Sequence, residues 1–317
     1  MGRGNSKKTS THRDSDDTNT SKSLSTTAPG FAVQAYKNGI LNPLDSKAPT
    51  NLEEIRQRLA QSRTTASPPE SVFEEYVQTV REAPNEATMV GEMLPLFQKY
   101  PKGYKRVLNQ AFTAFPKDMG FNSGLSAPQP DYVEGLGMEE FRPFPVDQHV
   151  SGAVLSKDNP RSVTLSHLAG EWTGPGGDIT EAQLQSGYDG AALVYARNQA
   201  LSYQGTPDPL GHAHITTFTT NGTHLNFYAH YATTGDDGTT EYHQFPVNST
   251  SLVNSYGEHK QGRRSLRNAQ DYARKQSYEL RDQLKEHYRK QRGGGGGDGS
   301  GLPPVAEGAP SLPIAST

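Results

Sequence analysis

The chain has 317 residues, a formal net charge of -3 and no cysteine. The missing thiols exclude disulfides, Cys-ligated zinc and thiol nucleophiles, and they fit an intracellular setting, nuclear or cytoplasmic, better than a secreted one. No apolar run approaches the length of a membrane helix and the N-terminus lacks a signal-peptide core, so no integral membrane association is expected.

Residues 1–29 are rich in Ser, Thr, Asp and Lys and nearly free of apolar side chains, which predicts a disordered tail. Its opening MGRGNS also fits the N-myristoylation pattern, with Gly2 and Ser6 in place and Lys7-Lys8 behind them. The segment 51–61 reads as a helix capped by Asn51, with Leu52, Ile55 and Leu59 on one face. A second helix is expected after Ser67-Pro68-Pro69, with Ser71 and Glu74 as a capping box and Phe73, Tyr76, Val77 and Val80 as its apolar stripe. A further helical stretch is expected from Glu86 to about Phe115, interrupted at Pro95 and Pro101, so the N-terminal part reads as a helical extension.

After Gly120 the pattern changes to strands and turns: the segment PDYVEGL, the FRPFPV extension and VTLSHLAGEW at 163–172. The break Gly174-Pro175-Gly176-Gly177 is followed by a strongly apolar helix, capped by Thr180 with Gln183 and running to about Tyr203. Strands at 212–220 and 223–232 flank Asn221-Gly222, the strongest short hairpin signal. A third strand is expected at 241–247. From Glu258 to Arg292 a long helix carries eleven Lys/Arg against five acids, a balance of +6. Beyond it, 293–317 is a Gly/Pro-rich tail without means of burying a core. The triplets at Asn221 and Asn248 match the glycosylation pattern and are expected to be accidental.

The chemistry-bearing pattern is Pro130-Asp131 with Glu171 at the end of a strand. Two carboxylates on adjacent strands can hold Mg²⁺ against a phosphodiester. These residues, with the longer strings AYKNGIL, APNEATMV, FPKDMGFN, SAPQPDYVEGL, LAGEWTGPGGD, LQSGYDGAALVYARNQALSY and HAHITTFTTNGT, resemble the PD-(D/E)xK nuclease-like superfamily, in particular a domain of unknown function widespread in fungal proteins. The resemblance covers about 31–292. It implies an α/β fold, a restriction-endonuclease-like mixed sheet flanked by helices, with a helical N-terminal extension and a long basic C-terminal helix in a 30–292 domain. It implies Asp131 and Glu171 as metal carboxylates, the Trp172 carbonyl as a third oxygen, and a glutamate from the preceding helix, Glu92 or Glu86. It also implies a polar residue from the following helix, Gln183 or Gln185.

The departure is Thr173, which stands where the superfamily has lysine. A hydroxyl can hydrogen-bond a water but brings no positive charge to the transition state, a loss of on the order of 10²–10³ in rate. Two expectations follow. One is a nucleic-acid-binding protein with an impaired Mg²⁺-dependent phosphodiesterase site, its DNA or RNA partner tracked by Arg263, Arg264, Arg267 and Arg274 with Tyr272 and Tyr278 stacking on bases. The other is an interaction platform that keeps the fold without catalysis. A histidine metal cluster from His212, His214, His224, His230 and His243 and a phosphate cradle at Gly174–Gly177 are weaker alternatives, the bland reading of each being a hydrogen-bonded strand histidine and a structural turn.

Overall fold

The computed structural model describes residues 23–100, 102–174 and 177–293. The Gly2/Ser6 pattern, the C-terminal tail from 294 and the middle of the Gly174–Gly177 break lie outside these residues. One six-stranded mixed sheet runs β1 (Tyr104–Leu108), β2 (Tyr132–Gly137), β3 (Val163–Trp172), β4 (Ile215–Thr220), β5 (His224–Thr234) and β6 (Thr240–Ser251), in sequence order across the sheet. All neighbours are antiparallel except β3 and β4, which are parallel.

A parallel step needs a crossover, and the Ile179–Gln204 helix supplies it. The other helices are α1 (Phe31–Lys37), α2 (Leu52–Ala60), α3 (Glu70–Glu82), α4 (Glu86–Met93), α5 (Val146–His149) and, after the crossover helix α6, the 38-residue α7 (Tyr256–Gly293). Among the described residues no helix is long and apolar enough to cross a membrane.

Covering helices on both faces leave β3 buried along its whole length, although it carries Thr164, Ser166, His167 and Glu171. One core lies between the sheet and α6 and includes Val133, Ala169, Tyr188 and Ala192; α1 and the far end of α7 close it. The other lies between the opposite face and α2, α3, α4 and the first half of α7, built around Tyr132, Trp172, Phe218 and Phe227. The low-bulk run of α6 permits close approach. A Cβ on Gly190 would stand 2.1 Å from the buried His230 ring, and one on Gly187 2.9 Å from Gln244.

Several expectations are corrected. The helix expected to about Phe115 ends at Met93 with a short 3-10 turn at Leu94–Leu96, and YKRVL becomes β1, because Pro95 breaks the helix and the strand finds β2 as partner. Asn51 does not cap α2; its amide exchanges two hydrogen bonds with the Ala213 backbone, both 3.0 Å. The Ser71–Glu74 box is absent, since α3 already begins at Glu70. Asp178, not Thr180, caps α6, accepting from the Thr180 N–H at 2.8 Å. FRPFPV forms helical turns rather than a strand, and the 39 residues between Asp131 and Glu171 hold these turns and α5. The Asn221-Gly222 hairpin is present, while its first strand starts at Ile215 and β6 extends to Ser251. Residues 23–29 are ordered: the Leu24 N–H donates to the Gly124 carbonyl and its carbonyl accepts from Ser126.

Two glycines test this packing. Gly190→Ala should lower stability by about 1–3 kcal/mol, because His230 is buried and tied to Thr217 and cannot yield. Gly91→Ala, on α4 with open space around it, should instead raise stability by about 0.5–1 kcal/mol. Urea denaturation of both variants reads the contrast.

Candidate active site

The parallel step places the ends of β2 and β3 beside the start of α6. Asp131 sits immediately before β2, its carbonyl accepting from the Asn109 N–H at 3.0 Å and its carboxylate Oδ2 accepting from the Trp172 N–H at 3.0 Å. Backbone and side chain are thereby tied to the strands on either side. Glu171, one residue from the end of β3, points to the α6 face. Its carboxyl lies within hydrogen-bond reach of Asp131 on one side and of Asp189 from α6 on the other.

Among the described residues these three carboxyls have no basic partner in an ion pair. Glu171 is 3% exposed and Asp189 2%. Burial holds Glu171 well above the usual carboxylate range, and the charges of Asp189 and Asp131 push it further. Burial also raises Asp189 and Asp131, while hydrogen bonds from Glu171 pull both back down. Oxygen Oδ2 of Asp189 is buried without a hydrogen-bond partner among the described residues.

A cavity of about 250 Å³ opens over Asp131, Glu171 and Thr173. Glu86, Glu181 and Asp178 stand at its rim, and no Lys or Arg is among its described lining residues. Of the two helix glutamates, Glu86 in the first turn of α4 is the one at the cavity; burial and the Asp131 charge raise its pKa, and the Gly174 N–H bonds its carboxyl. Glu92 does not line it. Gln185 lines it, whereas Gln183 faces a different groove and gives its carbonyl to Gln244. The Trp172 ring lies on the opposite face, against Phe97, Tyr132 and Phe218, and leaves the cavity open.

Thr173 is 9% exposed and its Oγ1 sits where a Cβ on Gly177 would be 1.6 Å away, so glycine there lets the following loop close over it. Among the described residues no three His, Asp or Glu side chains converge as a metal cage. Mg²⁺ does not require one: it keeps several waters and binds through one or two carboxylates. The adjoining carboxyls of Asp131 and Glu171, at a cavity with no Lys or Arg among its described lining residues, fit such a cation.

Of the candidate histidines, His214, His230 and His243 have hydrogen-bond partners among the described residues. His230 bonds Thr217, which bonds Ser186; His243 bonds Thr233 and stacks on Tyr231. His214 bridges Asp208 and the Tyr272 hydroxyl, and Arg197 clamps Asp208 through two bonds of 2.6 and 2.8 Å.

The basic helix is no free rod, since α7 buries a dozen residues. Arg267 donates to the Leu96 carbonyl at 2.9 Å, and Arg274 lies 4.9 Å over the Tyr100 ring. Tyr272 is covered by Arg58 at 3.3 Å and Tyr278 stacks on Tyr104, so neither ring is an open platform for a base. Arg263 and Arg264 are half-buried and make no hydrogen bond or ion pair among the described residues.

Sequence reasoning missed Asp189 and Glu134. Each is an acid inside an apolar run, SGYDGAALV and DYVEGLG, and that is the signal they offered. Glu134, 1% exposed, is held by the Tyr132 and Tyr104 hydroxyls and by Gln270 of α7, and burial raises its pKa to about 7. No family model matches this chain, and neither a curated protein nor a solved structure does.

The cluster predicts a specific pH dependence. Asp189 has a folded pKa raised above its unfolded value near 4, so the folded state holds the extra proton. Its stabilising contribution is complete below the unfolded value and is lost as pH rises through the folded one. Asp189→Asn keeps the shape and never ionises. Relative to the parent it should be more stable at pH 8 by about 1–3 kcal/mol and no more stable at pH 4.5. Comparing the two proteins at each pH by denaturant titration cancels the opposing buried histidines.

Proposed function

We propose that this chain has a restriction-endonuclease-like fold of the PD-(D/E)xK type, takes a divalent cation at Asp131 and Glu171, and engages nucleic-acid phosphodiesters there with the hydrolytic step impaired by Thr173. The observation that carries the reading is the contact between the Asp131 and Glu171 carboxyls, at adjacent strand ends in a cavity lined by no described cation. The order of elements supports it: α4 with Glu86 at its start, the strand that Asp131 precedes, the strand ending in Glu171, then α6 with Gln185 toward the cavity.

Asp131 and Glu171 would hold Mg²⁺, with the Trp172 carbonyl as a third protein oxygen. Such an ion polarises a phosphoryl oxygen and makes a water nucleophilic at neutral pH. The Trp172 N–H fixes the Asp131 carboxylate, Glu171 would have to be ionised to serve as a ligand, and the Thr173 hydroxyl can orient a water. No described residue lining the cavity offsets charge growing on the phosphoryl oxygens, which is the task of the missing lysine. That same lack favours a second reading, a platform of the same fold without catalysis.

Calorimetric titration should show Mn²⁺ or Mg²⁺ binding with release of protons, and Glu171→Gln should abolish it. Thr173→Lys should restore an ammonium beside the carboxylates and raise Mg²⁺-dependent cleavage of DNA or RNA by on the order of tenfold or more, with no gain in the Glu171→Gln background. A folded lysine variant that binds nucleic acid and never cuts decides for the platform.

A further inference from the structure

Of the large apolar side chains left exposed among the described residues, three gather at one place. Val33 and Tyr36 stand one turn apart on the outer face of α1, and Leu44 follows in the next connection; they are 59, 61 and 95% exposed. Leu44 does not sit on a slack loop. The Asn42 side-chain oxygen accepts from the Leu44 N–H at 2.8 Å and the Asp45 N–H at 3.1 Å, and the Asn42 amide donates to Asp45 at 2.6 Å, a turn that holds the leucine out into water. Beside these residues lies a groove of about 580 Å³ between α1 and the start of α6, walled by Phe31, Tyr36, Ile40, Leu41 and Leu184. Apolar projections next to an apolar groove mark a surface of association, which singly scattered apolar residues do not.

Charge is divided between the two sides of this surface. Asp178 and Glu181, exposed at the start of α6, line the groove, and no Lys or Arg is among its described lining residues. On the α1 side, Lys37 is exposed and makes no ion pair among the described residues. The acids belong to the end of the groove where the chain enters α1: Gln185, one turn beyond Glu181, donates to the Thr26 hydroxyl at 3.2 Å, and residues 26–30 lead into the helix. Lys37 closes the opposite end of α1. A two-fold axis beside α1 pairs two copies of the helix antiparallel, which brings the C-terminal end of each to the N-terminal end of the other. An isologous interface needs both halves of the fit on one patch, and this patch carries both.

We infer that the α1 surface joins two copies of this chain in an isologous dimer, with Val33, Tyr36 and Leu44 of each copy at the groove of the other and Lys37 of each copy at Asp178 and Glu181 of the partner subunit. The occupant is a second copy because the chain itself supplies the apolar side chains and the cation that the groove lacks, whereas a nucleic-acid strand would bring phosphates to the two acids. Asp178 and Glu181 also line the Asp131–Glu171 cavity, so each copy sets a cation at the rim of the other's carboxylate site. The dimer needs neither metal nor catalysis, and its test is run in EDTA, where failure of the metal reading above has no effect.

Sedimentation velocity of the full chain, over a concentration series up to about 0.2 mM, should show reversible exchange between monomer and dimer. Tyr36→Ser and Leu44→Asp should each weaken association by about tenfold or more. Neither should lower the thermal midpoint under conditions where the chain is monomeric, because both side chains are exposed in the single copy. Leu210→Ser, at an 81% exposed leucine on the connection between α6 and β4, is the control and should leave association unchanged. Lys37→Glu and Glu181→Lys should each weaken association, and the double variant should recover most of the loss, since the reversed pair attracts again. A monomer at every concentration overturns the inference, as does a dimer that Tyr36→Ser and Leu44→Asp leave intact. An equal loss in Leu210→Ser reduces the contact to general apolar adhesion and overturns the assigned surface, and charge variants whose losses simply add overturn the pairing of Lys37 with the partner's acids.

Discussion

The structure is organised by one constraint, a central strand that is buried on both faces and nevertheless polar. Strand β3 carries Thr164, Ser166, His167 and Glu171 into the core, where buried polar groups need partners. His167 bonds Ser277 of α7 and Arg197 of α6; Ser166 bonds the Glu134 and Leu168 carbonyls across the kink in the β2–β3 pairing. Buried polar groups left unpaired are costly, so these bonds specify which helices cover the strand and in what register. Glu171 is the exception, because what it meets are two further acids.

That exception separates the two ends of the strand. At the His167 end every charge is answered: Arg197 and His214 hold Asp208 far below the usual carboxylate range, Tyr272 receives the other side of His214, and Arg58 covers Tyr272. At the Glu171 end carboxyls face one another instead, and the cavity over them is ringed by more acids. A network of the first kind locks packing. An arrangement of the second kind remains poised for an incoming positive charge, and such perturbed groups in a cleft cluster at functional sites.

The long α7 helix joins these regions and is structural before it is anything else. Gln270 reaches Glu134 and Tyr132, Asn268 caps the Leu59 and Gln61 carbonyls, and Ser277 meets His167. Its basic residues are consequently of two kinds. Arg274 and Arg281 are drawn onto aromatic rings and Arg267 onto carbonyls, whereas Arg263 is left with like-charged neighbours. A charge count along the helix cannot tell these apart, because the difference lies in what the facing connection supplies.

Local pattern was enough for the apolar stripes of α2 and α3, the apolar α6, the Asn221-Gly222 hairpin and the length of α7, since period and turn chemistry are written in neighbouring residues. It was enough too for placing Asp131 and Glu171 at neighbouring strands. Local pattern failed where a distant partner outbid a nearby one. Asn51 took Ala213 instead of capping its helix, and YKRVL took β2 instead of extending one. Glu86 rather than Glu92, Gln185 rather than Gln183, and above all Asp189 entered the site because the parallel crossover brings the start of α4 and the buried side of α6 to the end of β3. The sequence by itself determined which segments become helix or strand and which acids begin the site. Only the tertiary structure decided which further carboxyls join them and which arginines stay unpaired, because burial and mutual charge exist only once the elements are packed.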